Sequence, residues 1–320
     1  MSAEDIDVTE LFARPPLCIL GPTASGKSSV AMAVARAHSD VELVSIDSMQ
    51  VYRGMDIGTA KPTTEEQAEV PHHLIDLSDP ADDFDVSMFQ DAWRSVAADI
   101  AGRGATPILV GGTGLYLRSV IDALELPGRY PEVRAELDAR SNELPALYEE
   151  LVRLDPLAAS RMDANNDRRL LRALEVTIGS GRPFSSFGPG MEDYPDVPFR
   201  LLGLRLNREP MIERINARYE IQMEQGFLDE VRSLAAQGIG RTARQALGYR
   251  ELLSHIEDEV PLAEALETAR VRTRRFARRQ MKWFDRDPRI EWVDLDSAGQ
   301  VVHDEAIACA SELLDAPAGN

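Results

Sequence analysis

Gly21-Pro22-Thr23-Ala24-Ser25-Gly26-Lys27-Ser28 matches the phosphate-loop pattern G-x-x-x-x-G-K-[ST] at every fixed position. The apolar run before it, 16–20, predicts a buried strand, and 28–38 after it has apolar residues at helical spacing. Glycines between a strand and a helix let backbone N–H groups point at an anion, and the helix dipole favours that anion. We predict that Lys27 supplies a charge to phosphate groups and that the Ser28 hydroxyl binds Mg²⁺. The pattern does not specify whether those phosphates belong to a nucleotide.

The composition limits the kind of nucleic-acid surface that the protein can have. The chain has 320 residues with 54 acidic and 35 basic side chains, a formal net charge of −19. This balance argues against a protein coated with positive charge, so any polyanion must meet a local basic patch. Cys18 and Cys309 are far apart in the sequence, and no Cys/His cluster predicts a metal site.

The sequence predicts no association with a membrane. No apolar run is long enough to span a bilayer, and the stretch from Met1 to Arg14 is acidic and polar. We therefore expect neither a signal peptide nor an anchor, and we expect a cytoplasmic location.

Asp47 lies at the carboxyl end of the second predicted strand, 42–47. In open α/β sheets the carboxyl ends of the strands lie beside the ligand. Two interpretations stand at this point. Asp47 can order the following loop as a cap, or it can act as a general base toward a nucleophile that attacks the bound phosphate compound.

Glycines follow the apolar strand predicted at 107–110. The sequence there is Gly111-Gly112-Thr113-Gly114, where many ATPases have an acid that organises Mg²⁺. The chain thus lacks an obvious apparatus for ATP hydrolysis. The segment 50–62 upstream, with its glycines and charges, predicts a long loop beside the ligand site.

The order of predicted elements indicates an α/β fold, with a P-loop NTPase-like parallel sheet flanked by helices and interrupted by a helical insertion. We place the first part of the core at 1–121, the insertion at 122–198, and the second part with C-terminal helices at 199–320. Smaller expectations are an N-cap at Ser87 and a disordered tail from Leu314. Within the insertion, helical spacing relates Arg168, Arg169, Arg172 and Glu175. They form either a solvated, salt-paired face or an arginine cluster that clamps phosphate or RNA.

A strongly basic helix is predicted near the C-terminal end of the chain. Arg272, Arg275, Arg279, Lys282 and Arg286 share one face of it, with aromatic residues interleaved. A run of charge is usually a solvated face. In so acidic a chain, this concentration of positive charge favours a polyanionic partner.

Five motifs together resemble the tRNA dimethylallyltransferase, or tRNA isopentenyltransferase, family. They occur in the family's order and span most of the chain: Gly21–Ser28, Asp47–Pro62, Gly111–Tyr116, Arg172–Glu175 and Gln245–Tyr249. One departure is visible. The family usually has Asn-Asp before the arginines of the insertion, and this chain has Asn165-Asn166-Asp167.

The resemblance implies a prenyl transfer. The phosphate loop, from Gly21 to Ser28, would hold the diphosphate of dimethylallyl diphosphate, and the acceptor would be N6 of adenosine 37 in the tRNA anticodon loop, extruded from its stack. Asp47 would accept the N6 proton, and Lys27, Arg218 and Mg²⁺ would neutralise the leaving diphosphate. Thr113 would hold the donor or the base, and Gln50 is a candidate for contact with adenine.

The resemblance also implies a set of contacts with the anticodon stem-loop and a monomeric enzyme. The candidate residues are Asp47, Ser48, Met49, Gln50, Thr113, Arg134, Arg168, Arg169, Leu170, Leu171, Arg172, Gln245, Gly248, Tyr249, Arg250, Arg275, Arg279 and Lys282. One alternative is a small-molecule or nucleotide kinase that binds ATP in the phosphate loop. The other is a non-catalytic RNA-binding or regulatory switch, which the missing N-K-x-D run disfavours.

Overall fold

The computed structural model describes residues 11–163, 166–188, 193–295 and 300–317, with no side-chain description for 300–302. Most of the segment Met1–Arg14, as well as Asn165, therefore lies outside the described residues. The chain divides into two compact units. We call 1–121 with 196–320 the core unit, and 122–195 the insertion unit.

The core unit contains one sheet. Its strands are β1 (Leu17–Leu20), β2 (Val41–Ile46), β3 (His72–His73), β4 (Thr106–Gly111), β5 (Arg200–Leu206) and β6 (Ile290–Leu295). The six strands lie in the order β3-β2-β4-β1-β5-β6, and all pairs are parallel. Leu17 of β1 pairs with Ile108 on one side and Arg200 on the other. The predicted α/β class with a parallel, P-loop-like sheet is confirmed.

The helices follow the strands in chain order. They are α1 (Lys27–Ala37), α2 (Thr64–Glu69), α3 (Val86–Gly102), α4 (Gly114–Ile121), α5 (Pro131–Ala139), α6 (Leu144–Leu154), α7 (Pro156–Ser160), α8 (Asp167–Ser180), α9 (Arg208–Glu224), α10 (Phe227–Gln237), α11 (Tyr249–Glu257), α12 (Leu262–Phe284) and α13 (Gln300–Asp315). Short 3₁₀ turns occur at Phe184–Ser186 and Ala243–Gln245.

The central strands of the sheet are mostly apolar, as expected for parallel strands that are covered on both faces. Every residue of β1 and β2 is buried. β1 is central, and the chain leaves it toward β2 on one side and later reaches β5 on the other. A crevice at such a reversal, beyond the carboxyl ends of the strands, is where ligands bind in open α/β sheets.

The insertion unit is helical and has its own apolar core. Leu137, Leu147 and Leu151 pack with the buried face of α8 in one cluster. Arg172 donates to Glu175 at 2.6 Å and to the Pro127 and Gly128 carbonyls. Glu175 also accepts from the Tyr130 backbone N–H. This charged network joins α8 to the segment before α5.

Two local expectations differ from the structure. The N-cap of α3 is Asp85, whose carboxylate accepts from the Ser87 and Met88 N–H groups; Ser87 itself lies inside the helix. Leu314 is fully buried within α13. The apolar face of α13 packs on the core and outweighs the disorder-promoting composition of the chain end.

Candidate active site

The phosphate loop connects β1 to α1. Gly26 caps α1 with a φ of 92°, a conformation that glycine adopts without strain, and the helix begins at Lys27. Lys27 Nζ donates to the Pro22 carbonyl at 3.2 Å, so the side chain folds back across its own loop. The sequence produces the strand, left-handed glycine and helix that the anion-binding motif requires.

Burial dominates the electrostatics around Lys27. Desolvation lowers the pKa of Lys27 to about 8; the Asp47 carboxylate opposes this shift and Arg218 adds to it. Burial also lowers the pKa of Arg218. Two cations that are desolvated near each other favour a ligand with several negative charges.

Asp47 follows β2, and its two oxygens have different surroundings. Oδ1 accepts from the backbone N–H groups of Met49 at 2.8 Å and Gln50 at 3.4 Å. Among the described residues, none donates a hydrogen bond to Oδ2. The loop-ordering role and the general-base role, both open from the sequence, are thus compatible, because a different oxygen serves each.

Thr113 and Arg218 link Asp47 to the phosphate loop. The Ser48 N–H next to Asp47 donates to Thr113 Oγ1 at 3.3 Å. Arg218, on α9, donates to Thr23 Oγ1 at 3.1 Å. The four predicted catalytic residues, which are Lys27, Asp47, Thr113 and Arg218, therefore belong to one neighbourhood although they are up to 191 residues apart (218 − 27).

A cavity of about 500 Å³ lies in this neighbourhood. This volume falls in the range of about 300–1,000 Å³ that is usual for ligand sites. Its lining includes Thr23, Asp47, Ser48, Met49, Thr113, Arg218, Tyr219, Gln245, Tyr249, Arg250, Arg275, Phe276 and Arg279. We call it the acidic-base cavity because it is lined by Asp47, an acidic residue that is the candidate general base.

A second cavity, of about 980 Å³, is lined by Ser28, Gln50, Arg214 and other residues of the core unit. Arg218 and Gln222 line both cavities, so the two spaces meet at α9. The phosphate-loop hydroxyl of Ser28 thus faces the second cavity, whereas Asp47 faces the first.

Gln50 lies apart from the acidic-base cavity. Its Oε1 accepts from Ser45 at 2.7 Å, and its Nε2 donates to the carbonyls of Thr59 and Ala60. These bonds engage both ends of the amide. The structure therefore does not favour the predicted contact of Gln50 with adenine, because that contact would require the loop bonds to break.

Three polar residues that sequence reasoning missed shape the loop 50–62. Glu230 of α10 accepts from the N–H groups of Asp56, Ile57 and Gly58. Gln222 donates to the carbonyls of residues 57 and 58. Lys61 is buried and binds Asp56, Asp76 and the Tyr52 carbonyl.

The segment 245–250 contributes to the acidic-base cavity through Gln245 and Arg250, which are joined by a 3.2 Å hydrogen bond. Gly248 has a φ of 85° and is the N-cap of α11. Tyr249 is fully buried and donates its hydroxyl to Glu230 at 2.5 Å. Burial and the Glu230 carboxylate raise the pKa of Tyr249, so the phenol stays neutral.

The arginines of the basic helix α12 lie in two environments: some form ion pairs within the protein, and others line a cavity. Arg272 pairs with buried Glu251, and Arg274 pairs with Glu267. Arg275 and Arg279 line the acidic-base cavity together with Phe276. Lys282 is exposed and does not line that cavity. The predicted shared face is therefore partly engaged in ion pairs.

The predicted contact residues of the insertion unit lie in different environments. Arg168 and Arg169 are exposed. Arg134 bonds Asp138 at 2.9 Å, and Arg172 belongs to the network with Glu175. Leu170 and Leu171 are buried in the core of this unit. Their contact with tRNA stays a prediction.

Comparison with known proteins identifies the family. A family model described as IPP transferase matches residues 50–287, which is most of the chain, and one described as Isopentenyl transferase matches residues 17–76. The chain belongs to the IPP transferase family.

Relatives extend along nearly the whole chain. A tRNA dimethylallyltransferase of Nocardioides sp. is 44% identical over 305 residues, covering 94% of this chain and 97% of that protein. The tRNA isopentenylpyrophosphate transferase of Bacillus halodurans has a similar fold, with a TM-score of 0.65, 37% identity, and coverage of 94% of this chain and 98% of that one. A solved eukaryotic dimethylallyltransferase acting on tRNA has a TM-score of 0.80 at 25% identity, covering 96% and 81%.

Membership of the IPP transferase family confirms the predicted resemblance and the prediction of a transferase. The comparisons support tRNA prenylation and not the kinase alternative. Within the described ranges, no helix has the length and apolar character needed to cross a membrane.

Proposed function

We propose that the protein transfers a dimethylallyl group from dimethylallyl diphosphate to N6 of adenosine 37 in the anticodon loop of tRNA and releases diphosphate. One observation carries this proposal. Asp47, with one oxygen available, lines a cavity that is bounded both by the phosphate loop and by arginines of the basic helix. A proton acceptor between an anion site and a polyanion site suits attack by a nucleic-acid nitrogen on a phosphate ester carbon.

The donor binds through its diphosphate. Amides of the phosphate loop, the N-terminus of α1, Lys27 and Arg218 surround the charge that must leave. We propose that the donor occupies the second cavity near Ser28 and directs its allylic carbon toward the acidic-base cavity at Arg218, which with Gln222 lines both cavities.

The acceptor enters the acidic-base cavity as an extruded base. Tyr219, Leu247 and Phe276 give this cavity apolar and aromatic walls, on which an unstacked base can rest. Thr113 Oγ1 already accepts a hydrogen bond from Ser48 and keeps its own proton to donate to the base or to the donor oxygen.

The chemical step follows from these positions. The N6 nitrogen attacks the allylic carbon, the carbon–oxygen bond to the diphosphate breaks, and the electron pair leaves with the diphosphate. Asp47 Oδ2 takes the N6 proton, while Oδ1 keeps the following loop in place. Lys27 and Arg218 stabilise the departing charge through contacts that strengthen as that charge develops.

A divalent metal, proposed to be Mg²⁺, fits the phosphate loop as a companion of the diphosphate. The Ser28 hydroxyl is exposed to the second cavity and makes no hydrogen bond within the described part of the chain. Within the same residues, no group of three or more His, Cys, Asp or Glu side chains offers a resident metal site. Ser28 would hold the ion together with substrate oxygens and water, and the ion would neutralise phosphate charge.

The RNA is held by positive side chains that position it. Arg275, Arg279 and Arg250 surround the acidic-base cavity, and we propose that exposed Lys282, Arg168 and Arg169 add phosphate contacts. The predicted monomeric state and cytoplasmic location remain predictions.

The test is incorporation of labelled dimethylallyl diphosphate into unmodified tRNA. We expect label in a tRNA with adenosine 37 and none in the same tRNA with guanosine 37, which lacks the N6 amino group. Label in both tRNAs, or in neither, contradicts the proposal. ATP turnover in the absence of RNA would instead favour the kinase.

A further inference from the structure

Gln280 of α12 connects two loops of the active site. Its Oε1 accepts from the Thr23 backbone N–H of the phosphate loop at 2.9 Å, and its Nε2 donates to the Gly112 carbonyl at 2.9 Å. The side chain is only 7% exposed. One amide is therefore shared between the loop assigned to the donor and the turn that carries Thr113.

The surroundings are matched to this amide. A Cβ added at Gly112 would lie 2.2 Å from Gln280 Nε2 and 3.1 Å from the Gly21 carbonyl, so a larger residue there would displace the Gln280 amide. One helical turn further along α12, Trp283 fills the space beside Gly114, where a Cβ would lie 2.0 Å from its indole nitrogen. The turn 112–114 is thus packed against α12 at both of its glycines.

Both loops that Gln280 contacts also contact, or lie next to, predicted catalytic residues. Thr23 accepts the hydrogen bond of Arg218 through its hydroxyl. Thr113 follows Gly112 directly and accepts from Ser48, the neighbour of Asp47. A change at Gln280 therefore reaches Arg218 on the donor side and Asp47 on the acceptor side.

We infer that Gln280 is a positioning residue that fixes the distance between the phosphate loop and the Thr113 turn, and thereby between the allylic carbon and the attacking nitrogen. This inference rests on the proposed function. Gln280 lines neither cavity, so we expect it to act through its bonds to Thr23 and Gly112. A misplacement of about 1 Å can cost about 10²-fold in rate, so such a residue has a large effect on the chemical step.

The experiment compares Gln280→Met with Gln280→Glu in single-turnover prenyl transfer at saturating enzyme. Methionine has a similar shape and removes both hydrogen bonds. Glutamate keeps the acceptor for the Thr23 N–H but loses the donor to the Gly112 carbonyl. We expect the rate constant to fall about 10- to 100-fold for Met and by less for Glu. The affinities for tRNA and for inorganic diphosphate should stay within about threefold of wild type.

Gln90→Met is the matched control. Gln90 is also a buried helical glutamine that donates to a backbone carbonyl, that of Ser119, but it lies on α3, which contributes no lining residue to either cavity. A purely structural role for Gln280 would lower the amount of folded enzyme, to which the single-turnover rate constant at saturation is insensitive.

The outcomes separate this inference from the proposed function. Absence of transfer by the wild-type protein contradicts the proposed function. Transfer by wild type, with both Gln280 variants within about twofold of Gln90→Met in rate constant, overturns the positioning role. If Gln280→Met fails to fold, the Glu variant alone decides, because its rate constant must still fall below that of Gln90→Met.

Discussion

The loop 50–62 and the basic helix α12 are both distinctive in the sequence, but their polar side chains have different partners in the structure. In the loop, Gln50 and Lys61 direct their side chains to the protein itself. In α12, Arg272 and Arg274 pair with glutamates, while Arg275 and Arg279 line a cavity. A distinctive motif can therefore mark residues that build a site, and a simple run of charge can hold residues that face a ligand.

We expect the largest effect from a substitution of Asp47, the first residue of the motif Asp47–Pro62. Asp47→Asn keeps an acceptor for the Met49 N–H and removes the base, so turnover should fall about 10²-fold or more with tRNA affinity retained. Single-turnover kinetics and a tRNA binding assay measure the two quantities. Turnover near the wild-type value would leave Asp47 as a loop-ordering residue only.

The second test concerns the interior of the loop. Lys61→Met leaves Asp56 and Asp76 without their buried cation. Breaking a buried pair costs about 3–5 kcal/mol, and the partial exposure of both carboxylates reduces the expected loss to about 1–3 kcal/mol in the free energy of unfolding. Chemical denaturation measures it. Arg94→Met, which breaks a surface pair with Asp91, is the control and should lose about 0.5 kcal/mol or less. If Lys61→Met and Arg94→Met lose equal free energy of unfolding, the buried Lys61 contributes no more to stability than a surface ion pair.

The third test compares arginines within α12. Removing Arg275 and Arg279 together as glutamines should weaken tRNA binding about tenfold and reduce the salt slope by about 0.7 per lost contact with single-stranded RNA. The control removes the same charge at Arg274 and Arg278, which do not line the acidic-base cavity. Binding titrations at several salt concentrations measure both double variants. Equal effects would mean that α12 acts as a uniform charged surface.

The smallest effect concerns Lys27. Because its pKa in the ligand-free protein is about 8, the side chain loses its charge as the pH rises through that value. A bound diphosphate favours the charged form, so binding must take up a proton above pH 8, and affinity falls. Between pH 8 and 9 the charged fraction decreases about fivefold, and the affinity for inorganic diphosphate should decrease equally. Lys27→Arg, charged throughout, should show no such change; a parallel pH dependence in both proteins would assign it to another group.

The sequence predicts the sheet well because buried parallel strands are mostly apolar, and β1, β2, β4 and β5 each coincide with a mainly apolar run. It also predicts the phosphate loop, since that geometry depends on local glycines. It does not predict the N-cap at Asp85, because Asp85 and Ser87 lie two residues apart and Asp and Ser are equally good caps.

Gln222 and Gln280, two buried amides that sequence reasoning missed, share a signal. Gln222 follows Met211, Ile215 and Tyr219 on the buried face of α9, and Gln280 follows Thr273 and Ala277 on that of α12. An amide in an apolar helical stripe needs a partner, which predicts a buried hydrogen bond. The partner of each buried amide lies on a loop that is distant in the sequence, so helical spacing cannot identify it.

The three consecutive N–H groups at 56–58 have a consequence for ligand choice. Successive amides that converge in a turn form a concave anion trap of the same general kind as a phosphate loop. In this protein the Glu230 carboxylate fills that trap from within the chain. The protein thus supplies its own anion to one of two amide sites of this kind. The other, at Gly21–Ser28, is the site that we propose for the diphosphate of the donor.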